Sequence, residues 1–398
     1  MAYRNTRHDG NDAPHLRALN YRPPRTLRII RVGLGTIIAG AVIVLAWTGF
    51  WFVMAFQLRG DFETWVAHQR AKAVVVGFRR FEIGGYPFHI RLNVMDPTVS
   101  DTGVTVPWAW SGDGIVVQAR PWRPGRLSIF ASGRQRVTVG TGPDRVTYSG
   151  GARVAEVHVT LGANVSTGWP LRVRVRISEL RLLSPTPGRG VTVGDVFFAY
   201  DNFDIPKNRP KAVGARADIS IHDMRVPPFH ALPLGNEFQH LSARFSVKGR
   251  LLGTDGNAAA LTHWRDGGGA IDLKAIHVEN GPLNVQGAGT LALDGDLQPV
   301  GSFTAKIEGL FALLDQLRAR GMLRDRDVVT AKLVLGALFQ RPANGAPPAL
   351  SMAITVRNRK LFIGPVPIAA FPRIAWPGSA QPPGAPSPEA GPGAPSGR

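Results

Sequence analysis

The stretch PLRVRVRI (residues 170–177) alternates apolar and charged side chains without interruption. A period of two places successive side chains on opposite faces of an extended strand. The stretch therefore predicts a β-strand with one apolar face and one wet face. Its apolar positions are Leu171, Val173, Val175 and Ile177, and its wet positions are Arg172, Arg174 and Arg176.

The same alternation recurs along most of the chain, and Gly, Asp, Asn or Pro turns separate the stretches. Many such strands in succession imply a large antiparallel sheet that must curve or pack on itself to hide its apolar side. Six further stretches carry the pattern: ARVAEVHVTL (152–161), ADISIHDMRV (217–226), SARFSVKGRLLG (242–253), AIDLKAIHVE (270–279), LNVQGAGTLALDG (283–295) and AKLVLGALF (331–339).

Two segments have helical spacing instead. DFETWVAHQRAKA (61–73) predicts a short helix that Asp61 caps and that links the membrane to the sheet. FTAKIEGLFALLDQLRARGML (303–323) predicts an amphipathic helix that lies on the sheet or over the opening of a groove. Its apolar positions are Leu310, Leu313, Leu314 and Leu317, and Gly321 suits its end.

Residues 32–58 carry no charged side chain and run for roughly 27 residues, more than the about 20 that a transmembrane helix needs. The stretch is too long for the apolar core of a cleaved signal peptide. Because five arginines precede it closely, we expect the N-terminus in the cytoplasm and the rest of the chain exported. Those arginines are Arg17, Arg22, Arg25, Arg28 and Arg31.

These features predict a mainly β fold: one N-terminal transmembrane helix, then a large curved antiparallel sheet, as a groove or a sandwich, with one or two packed helices. We expect four segments, divided as follows. They are a cytoplasmic basic segment (1–31), the transmembrane helix (32–58), a periplasmic β-rich domain (59–376) and a disordered Pro/Gly-rich tail (377–398).

The net charge of +19 favours partners that carry negative charge. An exported domain meets lipids and envelope polymers, so we expect no nucleic-acid partner. The stripe of Arg172, Arg174 and Arg176 has two interpretations: a solvated face that prevents aggregation, or contact with anionic lipid head groups. The absence of cysteine excludes disulfides, Cys nucleophiles and thiolate metal sites.

No motif in the sequence supplies chemistry. The densest histidine group, His222, His230 and His240 beside Asp223, lacks the His-x-x-x-His spacing of a helical zinc site. The sequence has no Gly-x-Ser-x-Gly motif and no phosphate-binding loop. We therefore expect no enzyme, no catalytic residue, no metal and no cofactor.

GGYPFHIRLNV (residues 84–94) predicts a hairpin in which two glycines permit the tight turn, Pro87 lies at the start or edge of a strand, and Phe88, Ile90, Leu92 and Val94 point inward. With VQARPW (117–122) and RNRKLFIGPVPIAAFPRIAWP (357–377), this stretch resembles an uncharacterised family of single-anchor bacterial envelope proteins, a domain of unknown function with a GYPF-type motif. The chain is also distantly similar to AsmA-like proteins. The resemblance implies a long curved sheet with an apolar groove, a single-pass protein of the bacterial inner membrane, and a link to lipids and outer-membrane maintenance.

We therefore predict that the apolar sheet face binds or handles lipid, either phospholipid or another anionic envelope lipid. The groove candidates are Leu92, Val173, Val175, Leu291 and Leu293, and the head-group candidates are Arg172, Arg174 and Arg176. The alternative is a non-enzymatic scaffold that recruits envelope-assembly partners and uses the same face only as a core. A hydrolase would need residues from separate strands to converge in one cleft.

Overall fold

The computed structural model describes residues 25–71, 74–101, 106–142, 145–162, 170–186, 188–206, 209, 211–227, 235–249, 258–319, 321, 324–338, 349–363, 366–374 and 376. The tail predicted at 377–398 lies outside the described residues. The chain divides into two compact units, Met1–Val53 and Met54–Arg398.

A single long helix, α1 (Arg25–Ala71), begins in the first unit and ends in the second. Its stretch Leu34–Ala67 is long and apolar enough to cross a membrane, and an 18-residue window within it has a mean hydropathy of 2.2. Large apolar side chains such as Ile37 and Leu45 are exposed along it. Length and composition thus fit a membrane span.

The short second helix predicted from Asp61 is not separate, because α1 runs without a break through Gly60 to Ala71. Asp61 therefore lies inside a helix and does not cap one. The ion pair between Arg59 and Glu63, with Nε and Oε1 3.0 Å apart, supports helical continuity across the glycine.

The second unit contains one antiparallel sheet, to which the described residues contribute 18 strands. The strands are β1 (Val74–Gly77), β2 (Arg80–Gly84), β3 (Ile90–Met95), β4 (Thr98–Asp101), β5 (Trp108–Arg120), β6 (Arg123–Val139), β7 (Val146–Gly151), β8 (Val154–Thr160), β9 (Arg172–Leu183), β10 (Val191–Asn202), β11 (Val213–Arg225), β12 (Glu237–Lys248), β13 (Ala270–Asn280), β14 (Leu283–Leu293), β15 (Pro299–Glu308), β16 (Ala349–Arg357), β17 (Lys360–Ile363) and β18 (Val366–Ala370). The remaining helices are α2 (Ala258–Asp266), α3 (Leu310–Ala319) and α4 (Asp325–Leu338).

Strands that follow one another in the chain pair with one another from β8 to β18. At the other end, β3 and β4 pair with successive parts of β5, and β7 and β8 pair with successive parts of β6. The predicted mainly β fold with a large antiparallel sheet is therefore confirmed.

The register places one continuous row of apolar and small side chains across the sheet, because directly paired residues share a face. We call the side of this row the apolar face and the opposite side the polar face. The row runs through Leu92, Val117, Ile129, Val157, Val175, Phe198, Ile219, Ala243, Ile276, Gly287, Ala305 and Met352.

The alternation of apolar residues slips by one position in β9, where Ile177 is followed by Leu180. Between them, Glu179 has a φ of 51°, in the left-handed region. Asp223 of β11 has the same φ and lies across Gly194 of β10, where an added Cβ would come within 3.2 Å of the Asp223 Cβ. A left-handed residue re-aims the side chains after it, as in a β-bulge. The slip thus keeps the apolar series on one side of the strand.

One end of the apolar face is covered by the last turns of α1. The rings of Phe62 and Phe81 lie 5.7 Å apart, and Val66 of the helix is buried. Beneath this cover, Ile90 and Leu92 are each only 1% exposed. Phe88, predicted to point inward with them, is exposed because it lies in the turn before β3.

The predicted helix at Leu310 is present as α3, and Gly321 beyond its end has a φ of 71°. The strand predicted at 331–339 is wrong, since residues 325–338 form α4. That run is apolar at almost every position, so its alternation does not distinguish a strand from a helix. Lys332 also bonds Asp315 of α3 at 2.7 Å, which joins the two helices.

Candidate functional site

The part of the apolar face between β8 and β14 is the candidate site. Its large side chains, among them Val175, Phe198, Ile219 and Ile276, are half-buried, whereas Leu92 at the covered end is fully buried. Neighbours within one sheet shield part of each side chain, and a second packed layer would remove the remaining exposure. We call this stretch the open face.

All five predicted groove residues lie on the apolar face, as the register of their strands requires. Val173 and Val175 of β9 and Leu291 and Leu293 of β14 are half-buried and belong to the open face. Leu92 is covered, so it belongs to the core under α1. The role assigned to these residues stays a prediction.

The predicted head-group residues lie on the polar face, opposite the open face. Arg172 and Arg174 both bond the carboxylate of Asp201, at 2.8 Å each. Burial raises the pKa of Asp201, but the hydrogen bonds from the two guanidinium groups outweigh it and lower the pKa below its usual value. Arg176 pairs in register with Glu156 and Phe197. An anion at Arg172 or Arg174 would have to compete with Asp201.

A second group of charges on the polar face surrounds Asp272 of β13. Its carboxylate lies 2.8 Å from the Lys248 Nζ and 3.1 Å from the Lys274 Nζ. The hydrogen bond from Lys248 is the main reason that the pKa of Asp272 is lowered, with Lys274 adding to it against the effect of burial. These contacts join two neighbouring strands and stabilise the polar face.

Three imidazoles meet on the polar face of β11, β12 and β13. The Nδ1 atoms of His222 and His240 are 3.1 Å apart, and the rings of His240 and His277 have centroids 4.8 Å apart. His230, grouped with the first two by sequence, lies outside the described residues. The sequence missed His277, because only the strand register brings it next to His240.

The environment of His240 favours its neutral ring. Burial lowers the pKa of His240, and the charges of His222 and His277 lower it further, against Glu279. Ser242 Oγ lies 2.9 Å from the second nitrogen of His240. Within the part of the chain that the structure describes, no group of three His, Asp or Glu residues is arranged to hold a metal ion.

A pocket of about 520 Å³ lies at the ends of β9 to β12. Arg181, Thr192, Arg225 and Glu237 are successive register partners that line it. The guanidinium of Arg225 and the carboxylate of Glu237 are 2.5 Å apart. The pocket thus combines two cations with two carboxylates, from Asp223 and Glu237, and a hydroxyl group, so its lining is polar without a net charge.

Together, these features define a β-rich protein with one large antiparallel sheet and an N-terminal helix that is long and apolar enough to span a membrane. The chain belongs to the bacterial family DUF2125, described as an uncharacterized protein conserved in bacteria, which matches residues 51–166 and 208–372. None of the curated proteins matches the chain. The predicted uncharacterised bacterial family is therefore confirmed, and the likeness to AsmA-like proteins stays a prediction.

Proposed function

We propose that this protein holds the acyl chains of an envelope lipid on its open face and acts without catalysis. The observation that carries the proposal is the contrast along one face: Leu92 is 1% exposed, whereas Val175 and Phe198 on the same face are only half-buried. A face that the described part of the chain leaves partly exposed gains stability from an apolar ligand.

The gain can be large enough to matter. An acyl chain that removes about 300 Å² of apolar surface from water gains roughly 7 kcal/mol. The loss of translational and rotational freedom offsets part of this gain. Because the open face extends over seven strands, one ligand can contact several of them at once, which favours long chains over small solutes.

We further propose that α1 anchors the protein in the bacterial inner membrane, with the N-terminus in the cytoplasm and the sheet in the periplasm. The five arginines before the span support this orientation through the positive-inside rule. A periplasmic sheet would meet phospholipids and other envelope lipids, so the location and the proposed ligand agree.

Two adjacent phenylalanines of β10 provide a matched test. Phe198 points to the open face, and Phe197, 46% exposed, points to the polar face. The full chain would be purified in mild detergent and its bound lipid measured by native mass spectrometry. We expect bound phospholipid in the wild type and the same amount in Phe197→Asp. Phe198→Asp should bind about tenfold less, because a carboxylate against the acyl chain would lose its hydration without a partner.

A wild-type protein that is folded but lipid-free would overturn the proposal. Equal loss in the two variants would also contradict it, because lipid would then not depend on which face is changed. Either outcome favours the scaffold, in which the sheet recruits protein partners. Circular dichroism spectra of both variants control for unfolding.

A further inference from the structure

Six bulky apolar side chains are exposed in a row at one end of the strands. We call this row the rim. Phe88 is 62% exposed and Trp122 is 47% exposed, and the other members are exposed to a similar degree. The rim consists of Tyr86, Phe88, Trp122, Leu161, Leu171 and Phe203.

Hydrogen bonds and strand pairing make the rim continuous. The turn after β2 lies beside the turn after β5, because Ile90 and Ala119 are register partners. Leu161 donates its backbone N–H to Gly125 at 2.8 Å, and Leu171 donates to Thr160 at 2.8 Å. The rim therefore lies at one end of the strands, and consecutive connections between the strands form it.

The first two turns of the rim are also basic. Residues 84–93 and 119–128, which contain its first two turns, hold four arginines and no carboxylate. The guanidinium of Arg120 lies 6.0 Å from the ring of Trp122. Exposed aromatic rings beside cations are typical of surfaces that meet a membrane interface with anionic head groups. The four arginines are Arg91, Arg120, Arg123 and Arg126.

The last turns of α1 approach the sheet from the rim end. Arg59 lies over the ring of Phe81, at 5.1 Å and three residues before β2 ends at the rim. Further along the helix, Arg70 bonds the carbonyl of Val76 in β1, at 2.8 Å, toward the opposite end of the strands. From Arg59 to Arg70 the helix therefore runs antiparallel to β1 and β2, with Arg59 on the side nearer the rim.

We propose that the rim rests on the surface of the bilayer that α1 spans, with its rings among the head groups and its arginines on anionic lipids. The charge of the rim and its place where α1 enters the sheet both favour this occupant over a protein partner. The proposal goes beyond lipid held on the open face and does not depend on it. It would place one end of the open face at the membrane, where lipid could enter.

The chain contains no cysteine, so single labels can be introduced without background. A fluorophore would be attached to Phe88→Cys or Trp122→Cys at the rim, or to Leu183→Cys or Val106→Cys at the opposite end of the strands. The labelled full chains would be placed in nanodiscs of phosphatidylethanolamine and phosphatidylglycerol with spin-labelled lipid as quencher. We expect the rim labels to be quenched several-fold more than the labels at the opposite end of the strands.

Charge variants test the anionic part of the surface. In labelled Phe88→Cys, the added changes Arg120→Gln and Arg123→Gln should remove most of the quenching. The changes Arg145→Gln and Arg189→Gln, at the opposite end of the strands, should leave it in place. Nanodiscs of phosphatidylcholine alone should give weak quenching even with the arginines intact.

Equal quenching of labels at both ends of the strands would overturn the proposal. Quenching that does not depend on the rim arginines or on the lipid charge would overturn it as well. Rim labels that are shielded only when other envelope proteins are added would indicate a protein partner instead. Adding Phe198→Asp to Phe88→Cys should leave the quenching unchanged, so failure of lipid holding and failure of membrane contact are distinguishable. Thermal melting of each labelled chain confirms that it is folded.

Discussion

His240 lies between two other imidazoles, and this position makes the stability of the sheet depend on pH. Burial first, and then the charges of His222 and His277, lower the pKa of His240 below its ordinary value of about 6.5. Between the two pKa values, His240 is therefore protonated in the unfolded chain and neutral in the folded chain. Stability should be intact above about pH 6.5, fall as the pH decreases below that value, and level off below the folded pKa.

We expect His240→Asn to remove this fall, because an amide does not titrate. Thermal melting of the full chain near pH 7 and near pH 5 would measure it. As a matched control, His158→Asn removes an imidazole that bonds Ser128 on another strand, and it should keep the acid-induced drop. The same drop in His240→Asn and in the wild type would mean that the histidine cluster is not its source.

At the level of elements, two leucines on the same face report which strands are covered. Leu92→Ala should destabilise the protein by about 2–4 kcal/mol, because Leu92 is buried under α1. Leu291→Ala should cost about 1 kcal/mol, because Leu291 is only half-buried on the open face. Chemical denaturation of the full chain in one detergent measures both changes.

The two leucines control for each other, since they lose the same atoms from the same sheet face. Equal costs would mean that the open face is packed as tightly as the covered end. Addition of lipid should raise the cost of Leu291→Ala and leave that of Leu92→Ala unchanged, because only the former would contact a bound acyl chain.

Strict alternation allowed the sequence to predict the strands well, as in Val173 and Val175 of β9. The prediction from alternation was wrong where the pattern fits more than one structure. The apolar run predicted as a strand at 331–339 belongs to α4 in its described part, and Phe88 belongs to a turn. The meeting of His240 with His277 needed strand register, which alternation does not fix. The sequence likewise did not predict which leucines α1 would cover, because that depends on contacts between distant elements.

For the whole molecule, the order of the strands decides how stability is distributed. From β8 onward each strand pairs with the next along the chain, so most contacts are local, as in a repeat array. A sheet of this kind can open from its end without disturbing the middle. Where the open face carries no second layer, bound lipid would add stability by mass action.

The short C-terminal strands should therefore open first. β17 and β18 have four and five residues, and Pro367 in β18 has no N–H to donate, whereas β6 has 17 residues and pairs with strands on both sides. Hydrogen exchange of the full chain in nanodiscs, followed by mass spectrometry, should show β17 and β18 exchanging well before β3 and β5. Uniform protection from β3 to β18 would instead mean that the sheet unfolds as one cooperative unit, and lipid binding could then not act on the open strands alone.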